Sequence, residues 1–131
     1  LYSAVAELGL GLEDKMDIPV GLLSGGQRQA IALLMATMTP ISFLILDEHT
    51  AALDPKTAEI IMKLTDRIVR EKSLTAIMVT HNLRYAVEYG NRMLMLHHGD
   101  IVLERKAAAK TETTVDDILS VFNEISIECG N

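Results

Sequence analysis

Apolar positions along the chain recur with two periods, and their alternation sets the order of elements. Leu1, Val5 and Leu8 fall on one face at helical spacing, which predicts a short helix over Leu1 to Leu10 that Gly9 and Gly11 end. A polar linker, Glu13 to Asp17, follows and closes at Pro19. Ser24 stands where an N-cap belongs, before a helix running to about Met38. Ala30, Ile31, Leu33, Leu34 and Met35 make that helix apolar nearly all round, which predicts deep burial. Thr39-Pro40 stops it. Ile41 to Leu46 is an apolar run without polar alternation, the pattern of a strand covered on both faces in a parallel sheet.

Asp54-Pro55 opens the next helix, with Asp as N-cap and Pro at the first helical position. Ile60, Ile61, Leu64 and Ile68 give it an apolar stripe, and it ends near Lys72-Ser73. Leu74 to Val79 reads as a second buried strand. The strand–helix–strand order from Ile41 to Thr80 predicts a βαβ unit with a right-handed crossover. Asn82 to Tyr89 is a short helix closed by Gly90. Arg92 to Leu96 and Ile101 to Glu104 flank His98-Gly99-Asp100, a hairpin signal. Lys106 to Thr114, polar and Ala-rich, reads as a linker. Thr113 to Asp116 reads as a capping box opening a final helix with Ile118, Leu119 and Phe122 inward.

Composition narrows the class. The 131 residues are 49% hydrophobic and 23% charged, which is globular rather than disordered. Lys plus Arg is 12 against 18 Asp plus Glu, a net charge of -6, and there is no Lys/Arg run. Such a balance argues against grip on a nucleic-acid backbone, and the absence of Trp removes a common base-stacking group. The single cysteine, Cys129, cannot form an internal disulfide or a cysteine zinc cluster, and near the terminus it reads as exposed and incidental. No apolar run approaches the roughly 20 residues of a membrane helix.

Three constellations carry candidate chemistry. In Leu23-Ser24-Gly25-Gly26-Gln27, two glycines after a Ser at a helix start let an anion approach backbone N–H groups and the positive end of the helix dipole. The ordinary alternative is an N-cap after a flexible turn. In Phe43-Leu44-Ile45-Leu46-Asp47-Glu48, an apolar strand delivers two carboxylates at its C-terminal end, where open α/β sheets bind ligands. One carboxylate can hold Mg²⁺ and the other can orient or deprotonate a water. The alternative is a solvated strand end or a helix cap. His81, in Val79-Thr80-His81-Asn82, follows the second strand and can donate to a phosphate oxygen, or can be a capping or exposed histidine.

Taken together and in this order, the residues resemble the nucleotide-binding domain of ABC ATPases. Leu23 to Gln27 is similar to the family signature, Phe43 to Glu48 to its Walker B motif, Ala51-Ala52-Leu53-Asp54 to its D-loop, and His81 to its H-loop. The resemblance runs from about Val20 to at least Glu104. It implies an α/β P-loop NTPase fold. Residues 1–40 would be the end of the helical subdomain, 41–105 the catalytic core and 106–131 a C-terminal linker and helix. It implies ATP and Mg²⁺ as cofactors, with Asp47 helping to hold the metal through water. Glu48 would polarise the attacking water, and His81 would contact the γ-phosphate. Ser24, Gly25, Gly26 and Gln27 would bind ATP held by a second subunit, and Asp54 would carry contacts across that dimer. The implied partners are a second copy, a membrane permease and an extracytoplasmic substrate-binding protein, with no nucleic acid. The implied location is the cytoplasmic face of the membrane. Asp47 to Lys56 is similar to bacterial importer ATPases working with binding proteins.

Departures qualify the likeness. No Gly-x-x-x-x-Gly-Lys-[Ser/Thr] string occurs in these residues, so the phosphate-cradling loop is not among them. The chain therefore reads as the C-terminal half of such a domain. Alone it is expected not to hydrolyse ATP, and to present an exposed edge at the strand before His81. His49 stands where the family usually has Pro, either as a tolerated loop residue or as a residue that tunes Glu48. His97 and His98 read as solvated turn residues. Two rival functions keep the same motifs: a soluble ABC-family ATPase in DNA repair or translation, and a non-catalytic half-domain docking on a complete partner.

Overall fold

The computed structural model describes residues 2–128, and the chain divides into two units between Val79 and Thr80. Leu1 and Cys129 lie outside the described residues.

In the first unit α1 (Tyr2–Ala6) buries Val5. The chain leaves it through Gly9 and Gly11 at φ +68° and +64°, backbone angles a glycine adopts without a Cβ clash. Two 3₁₀ turns, Glu13–Lys15 and Val20–Leu22, shape the polar linker. Helix α2 (Gly25–Met38) starts at the predicted cap. Ser24 Oγ accepts the Gln27 N–H at 3.2 Å, and Gln27 Oε1 accepts the Ser24 N–H at 3.1 Å, a reciprocal capping box. At its other end Lys72 Nζ donates to the Thr37 carbonyl at 2.5 Å. Strand β1 (Phe43–Asp47), helix α3 (Pro55–Glu71) and strand β2 (Thr75–Val79) follow. The strands pair in parallel from Phe43 opposite Thr75 to Asp47 opposite Val79, which is the predicted βαβ unit. Ala30 and Leu33 of α2, Leu44 and Leu46 of β1, and Ile61, Leu64 and Ile68 of α3 share one core with Val5, Leu8 and Leu12.

The expected deep burial of α2 and of both strands fails here. Helix α2 is buried only along Gly26, Ala30, Leu33 and Thr37, while Met35 and Met38 are exposed. Strand β1 alternates: Leu44 and Leu46 are buried, but Phe43 is 48% and Ile45 65% exposed. In β2, Ile77 and Val79 are exposed as well. Helices α2 and α3 cover one face of the strand pair, and no other element of this unit covers the second. The apolar run is present without the layer it predicts. On α3, Ile60 lies at the margin of the stripe, and Ala58, Met62 and Thr65 join its buried face. Among the described residues β1 and β2 form a two-stranded sheet, so β2 keeps the unpaired edge expected of it.

In the second unit α4 (Leu83–Glu88) is capped by Asn82, whose Oδ1 accepts the Tyr85 N–H at 3.2 Å. Strands β3 (Arg92–His97) and β4 (Asp100–Lys106) pair antiparallel, with a register shift between Met95 and Leu96. Their loop, His98 and Gly99, has φ +49° and +89°, the two positive angles a type I′ turn requires. The expected linker is instead helix α5 (Ala107–Glu112). Three consecutive alanines favour it, and Lys110, 3% exposed, fixes it by donating to the Val87 carbonyl. Burial pushes that lysine's pKa down. Helix α6 (Val115–Glu128) begins one residue later than the predicted box. Thr114 Oγ1 accepts the Asp117 N–H at 3.2 Å, and Asp117 Oδ2 accepts the Thr114 N–H at 2.7 Å. The inward stripe is Ile118 with Val121 and Ile125, packed with Met93, Met95 and Leu103. Leu119 and Phe122 are exposed rather than inward, because the stripe follows Ile118 at spacings of three and four. Among the described residues no helix is long and apolar enough to cross a membrane.

Candidate functional site

The capping box fixes what the Ser24 turn has left to offer. Ser24 Oγ uses a lone pair on the Gln27 N–H, so its own proton stays available to an acceptor. The N–H groups of Gly25 and Gly26 open the helix and have no intrahelical acceptor. Ser24 is exposed, so the turn can present donors and the dipole's positive end to an anion. Gln27 is committed locally: its Oε1 accepts from Ser24 and its Nε2 donates to the Leu10 carbonyl at 3.1 Å. That side chain shapes the turn.

The glycines also meet the segment after β1. A Cβ on Gly25 would lie 3.1 Å from Leu53 Cδ2, and one on Gly26 would lie 2.2 Å from Thr57 Cγ2. The signature turn therefore rests directly on the D-loop and the first turn of α3. In the sequence these glycines read as room for an anion or as a flexible turn before a cap; Leu53 and Thr57 were missed as their packing partners.

Asp47 ends β1, and both it and Glu48 are exposed there. The Glu48 N–H donates to the Val79 carbonyl at 2.9 Å, one further hydrogen bond from β1 to β2. Glu48 then turns the chain at φ +46°. This left-handed conformation costs a non-glycine residue about 1–2 kcal/mol, so its surroundings must hold it. Among the described residues no group of three or more His, Cys, Asp or Glu could hold a metal. The chain offers one or two adjacent carboxylates. That donor set suits Mg²⁺, which keeps waters and takes phosphate oxygens, and does not suit an all-protein cage.

His49 is half-buried beneath this turn, and its Nε2 lies 3.1 Å from Thr65 Oγ1 on α3. The Thr65 hydroxyl gives its only proton to the Ile61 carbonyl at 2.8 Å, so Nε2 of His49 carries the hydrogen and donates. Burial lowers the His49 pKa. The sequence did carry a signal for this partner. Thr65 is the one hydroxyl on a face otherwise formed by Ala58, Ile61, Met62, Leu64 and Ile68.

Asp54 caps α3 as predicted, accepting the Thr57 N–H at Oδ1 at 3.0 Å. The Thr57 hydroxyl also bonds to it, and these two contacts hold its carboxyl below the ordinary 3.8. A lowered folded pKa means the cap's contribution is present above that ordinary value and is lost as pH falls through the folded one. We expect Asp54→Asn to flatten the acid limb of the unfolding midpoint measured between about pH 2 and 5. A limb identical to wild type would show that Asp54 is not part of it. His81 is exposed in the second unit, following Thr80, whose Oγ1 accepts the Asn82 N–H at 3.0 Å. The structure thus joins Ser24, Gly25, Gly26 and Gln27 to the Asp54 turn, sets Asp47 and Glu48 side by side, and leaves His81 in the other unit.

A family profile described as ABC transporter matches residues 2–51. A tyrosine transport ATP-binding protein of Clostridioides difficile is 51% identical over 115 residues, 88% of this chain and 46% of that protein. A methionine import ATP-binding protein of Bacillus cereus is 36% identical over 120 residues, 88% of this chain and 35% of that one. A phosphonates import ATP-binding protein of a Ruegeria species is 38% identical over 109 residues, 83% of this chain and 42% of its own length. The chain thus spans less than half the length of these relatives. Among solved structures, an ABC transporter of metal-chelate type in an inward-facing conformation aligns with a TM-score of 0.71 and 26% identity, over 92% of this chain and 47% of that one. An ATP-binding cassette of an ABC transporter in its ADP conformation aligns with a TM-score of 0.72 and 23% identity, over 99% of this chain and 48% of that one. The shared fold is that of an ATP-binding cassette.

Proposed function

We propose that this chain, which belongs to the ABC transporter ATP-binding family, forms the signature and Walker B half of a domain that hydrolyses ATP to drive import. The observation that carries the reading is the exposed Asp47–Glu48 pair at the carboxyl end of a parallel strand. Asp47 is positioned to bind Mg²⁺ through water. Glu48 accepts hydrogen bonding from the attacking water and orients it. Bound Mg²⁺ would neutralise charge developing on the phosphates. His81 donates to the γ-phosphate. Ser24, through its uncommitted hydroxyl proton, and the Gly25 and Gly26 N–H groups grip the γ-phosphate of ATP held by a second copy. Gln27 serves that grip by capping the turn. Asp54 contributes contacts across the pair of copies.

The phosphate-cradling loop this mechanism needs is absent from these 131 residues. The reading places it in the part of such a domain that the matched relatives have and these residues do not span. That part would also cover Phe43, Ile45 and Ile77. The membrane partner is a permease, which holds the domain at the cytoplasmic face. A substrate-binding protein delivers the cargo from outside. Likeness to tyrosine and methionine transport proteins favours an amino acid as cargo. The test is phosphate release by the complete protein with its permease in liposomes. We expect Mg²⁺-dependent turnover and solute uptake together. Activity recruited by DNA or ribosomes, and not by a permease, would overturn the transport reading.

A further inference from the structure

Glu48 must present its carboxylate from a backbone conformation that non-glycine residues avoid, at φ +46°. Contacts on both sides brace it. Its N–H is held by the Val79 carbonyl at 2.9 Å, its carbonyl accepts the Ala51 N–H at 3.0 Å, and the next side chain, His49, reaches down to α3. The third differs in kind from the other two. The first two bonds secure Glu48 to β2 and to its own turn; the His49 side chain ties the turn to the packed face of α3. Thr65 is 4% exposed, between Leu64 and Ile68 on the packed face of α3, and its hydroxyl is fixed by the Ile61 carbonyl. The acceptor offered to His49 therefore cannot drift. The ring must approach with an N–H, because the hydroxyl proton is spent.

We infer that His49 is a positioning residue for Glu48: its Nε2–H, seated on buried Thr65, locks the turn that aims the Glu48 carboxylate. The inference rests on reading Glu48 as the water-orienting carboxylate. Releasing the tether lets the turn relax, so the carboxylate is misplaced while the residues that grip the nucleotide are untouched. The effect should fall on kcat and spare the KM for Mg-ATP.

The test uses the complete protein. For His49→Ala and Thr65→Val, kcat should fall roughly 10- to 100-fold with KM within about twofold. His49→Gln, whose amide can donate from a similar place, and Thr65→Ser, which keeps the acceptor, should stay within about threefold of wild type. The double variant His49→Ala/Thr65→Val should be no worse than either single one, since both remove the same bond. Amide exchange in nucleotide-free protein supplies a second readout: at Glu48 and Ala51 it should quicken about tenfold in His49→Ala and Thr65→Val, but not in His49→Gln. Thr65→Val keeps the buried shape, so it reports on the bond without emptying the core. Wild-type kcat in His49→Ala, additive losses in the double variant, or no rescue by His49→Gln would overturn the inference. If wild-type protein hydrolyses no ATP, the reading of Glu48 falls instead, and the exchange rates still decide whether His49 holds its backbone.

Discussion

Glu48→Gln is expected to stop ATP turnover while leaving Mg-ATP bound. The carboxylate lies exposed at the end of β1, its backbone fixed by the Val79 carbonyl. Gln has the same length and can still hydrogen bond a water, but it cannot act as an anionic acceptor. Loss of such a group lowers kcat by about 10²- to 10⁴-fold, equivalent to roughly 3–5 kcal/mol in the barrier. Nucleotide affinity should change little, because Glu48 is not asked to grip phosphate. Asp47→Asn should separate from it by weakening the Mg²⁺ dependence of binding. Single-turnover phosphate release, with nucleotide binding measured alongside, checks both. A Glu48→Gln protein that turns over at the wild-type rate would sink the assigned role.

The second large effect concerns packing. A methyl on Gly26 would stand 2.2 Å from Thr57 Cγ2, well inside contact distance. Thr57 cannot simply swing away, because its hydroxyl is bonded to Asp54 and its β-branched side chain is stiff. Gly26→Ala therefore forces α2 off α3 or breaks the α3 cap. Overpacking of this kind costs about 1–3 kcal/mol. Thr57→Ala removes the obstructing methyl at the expense of the hydroxyl contact, so Gly26→Ala/Thr57→Ala should lose less than the sum of the two single losses. Denaturant midpoints over the four proteins give the coupling directly. Additive losses would mean that Gly26 does not rest on Thr57. The same contact links the signature turn mechanically to the D-loop, so a shift at one moves the other.

The elements were legible where local chemistry decides them. The Ser24 cap, the Asp54-Pro55 start of α3 and the His98-Gly99 turn each satisfy backbone groups within a few residues, and the sequence shows those groups directly. The strand–helix–strand order from Ile41 to Thr80 gave the parallel pair through the connectivity of a βαβ crossover. Burial was misread where it depends on distant neighbours. Phe43 and Ile45 carry the composition of a doubly covered strand, but this unit covers one face. The stretch after Lys106 was misread because its polar residues outweighed a visible alanine run, and nothing local marks Lys110 as buried. At the site, adjacent motif residues were visible, and long-range partners were not. Thr57 beneath Gly26 lies 31 positions away by the numbering, and Thr65 beneath His49 lies 16 away. No local pattern announces a contact over such separations.

The central claim is that the Ser24 turn of one copy completes the ATP site of another. Sedimentation of the complete Glu48→Gln protein, with and without Mg-ATP, tests it most directly, because blocked hydrolysis preserves the closed pair. The account predicts single copies without nucleotide and paired copies with it. Adding Ser24→Arg should abolish pairing while each copy still binds ATP. Pairing that ignores ATP, or that survives Ser24→Arg, would contradict the account.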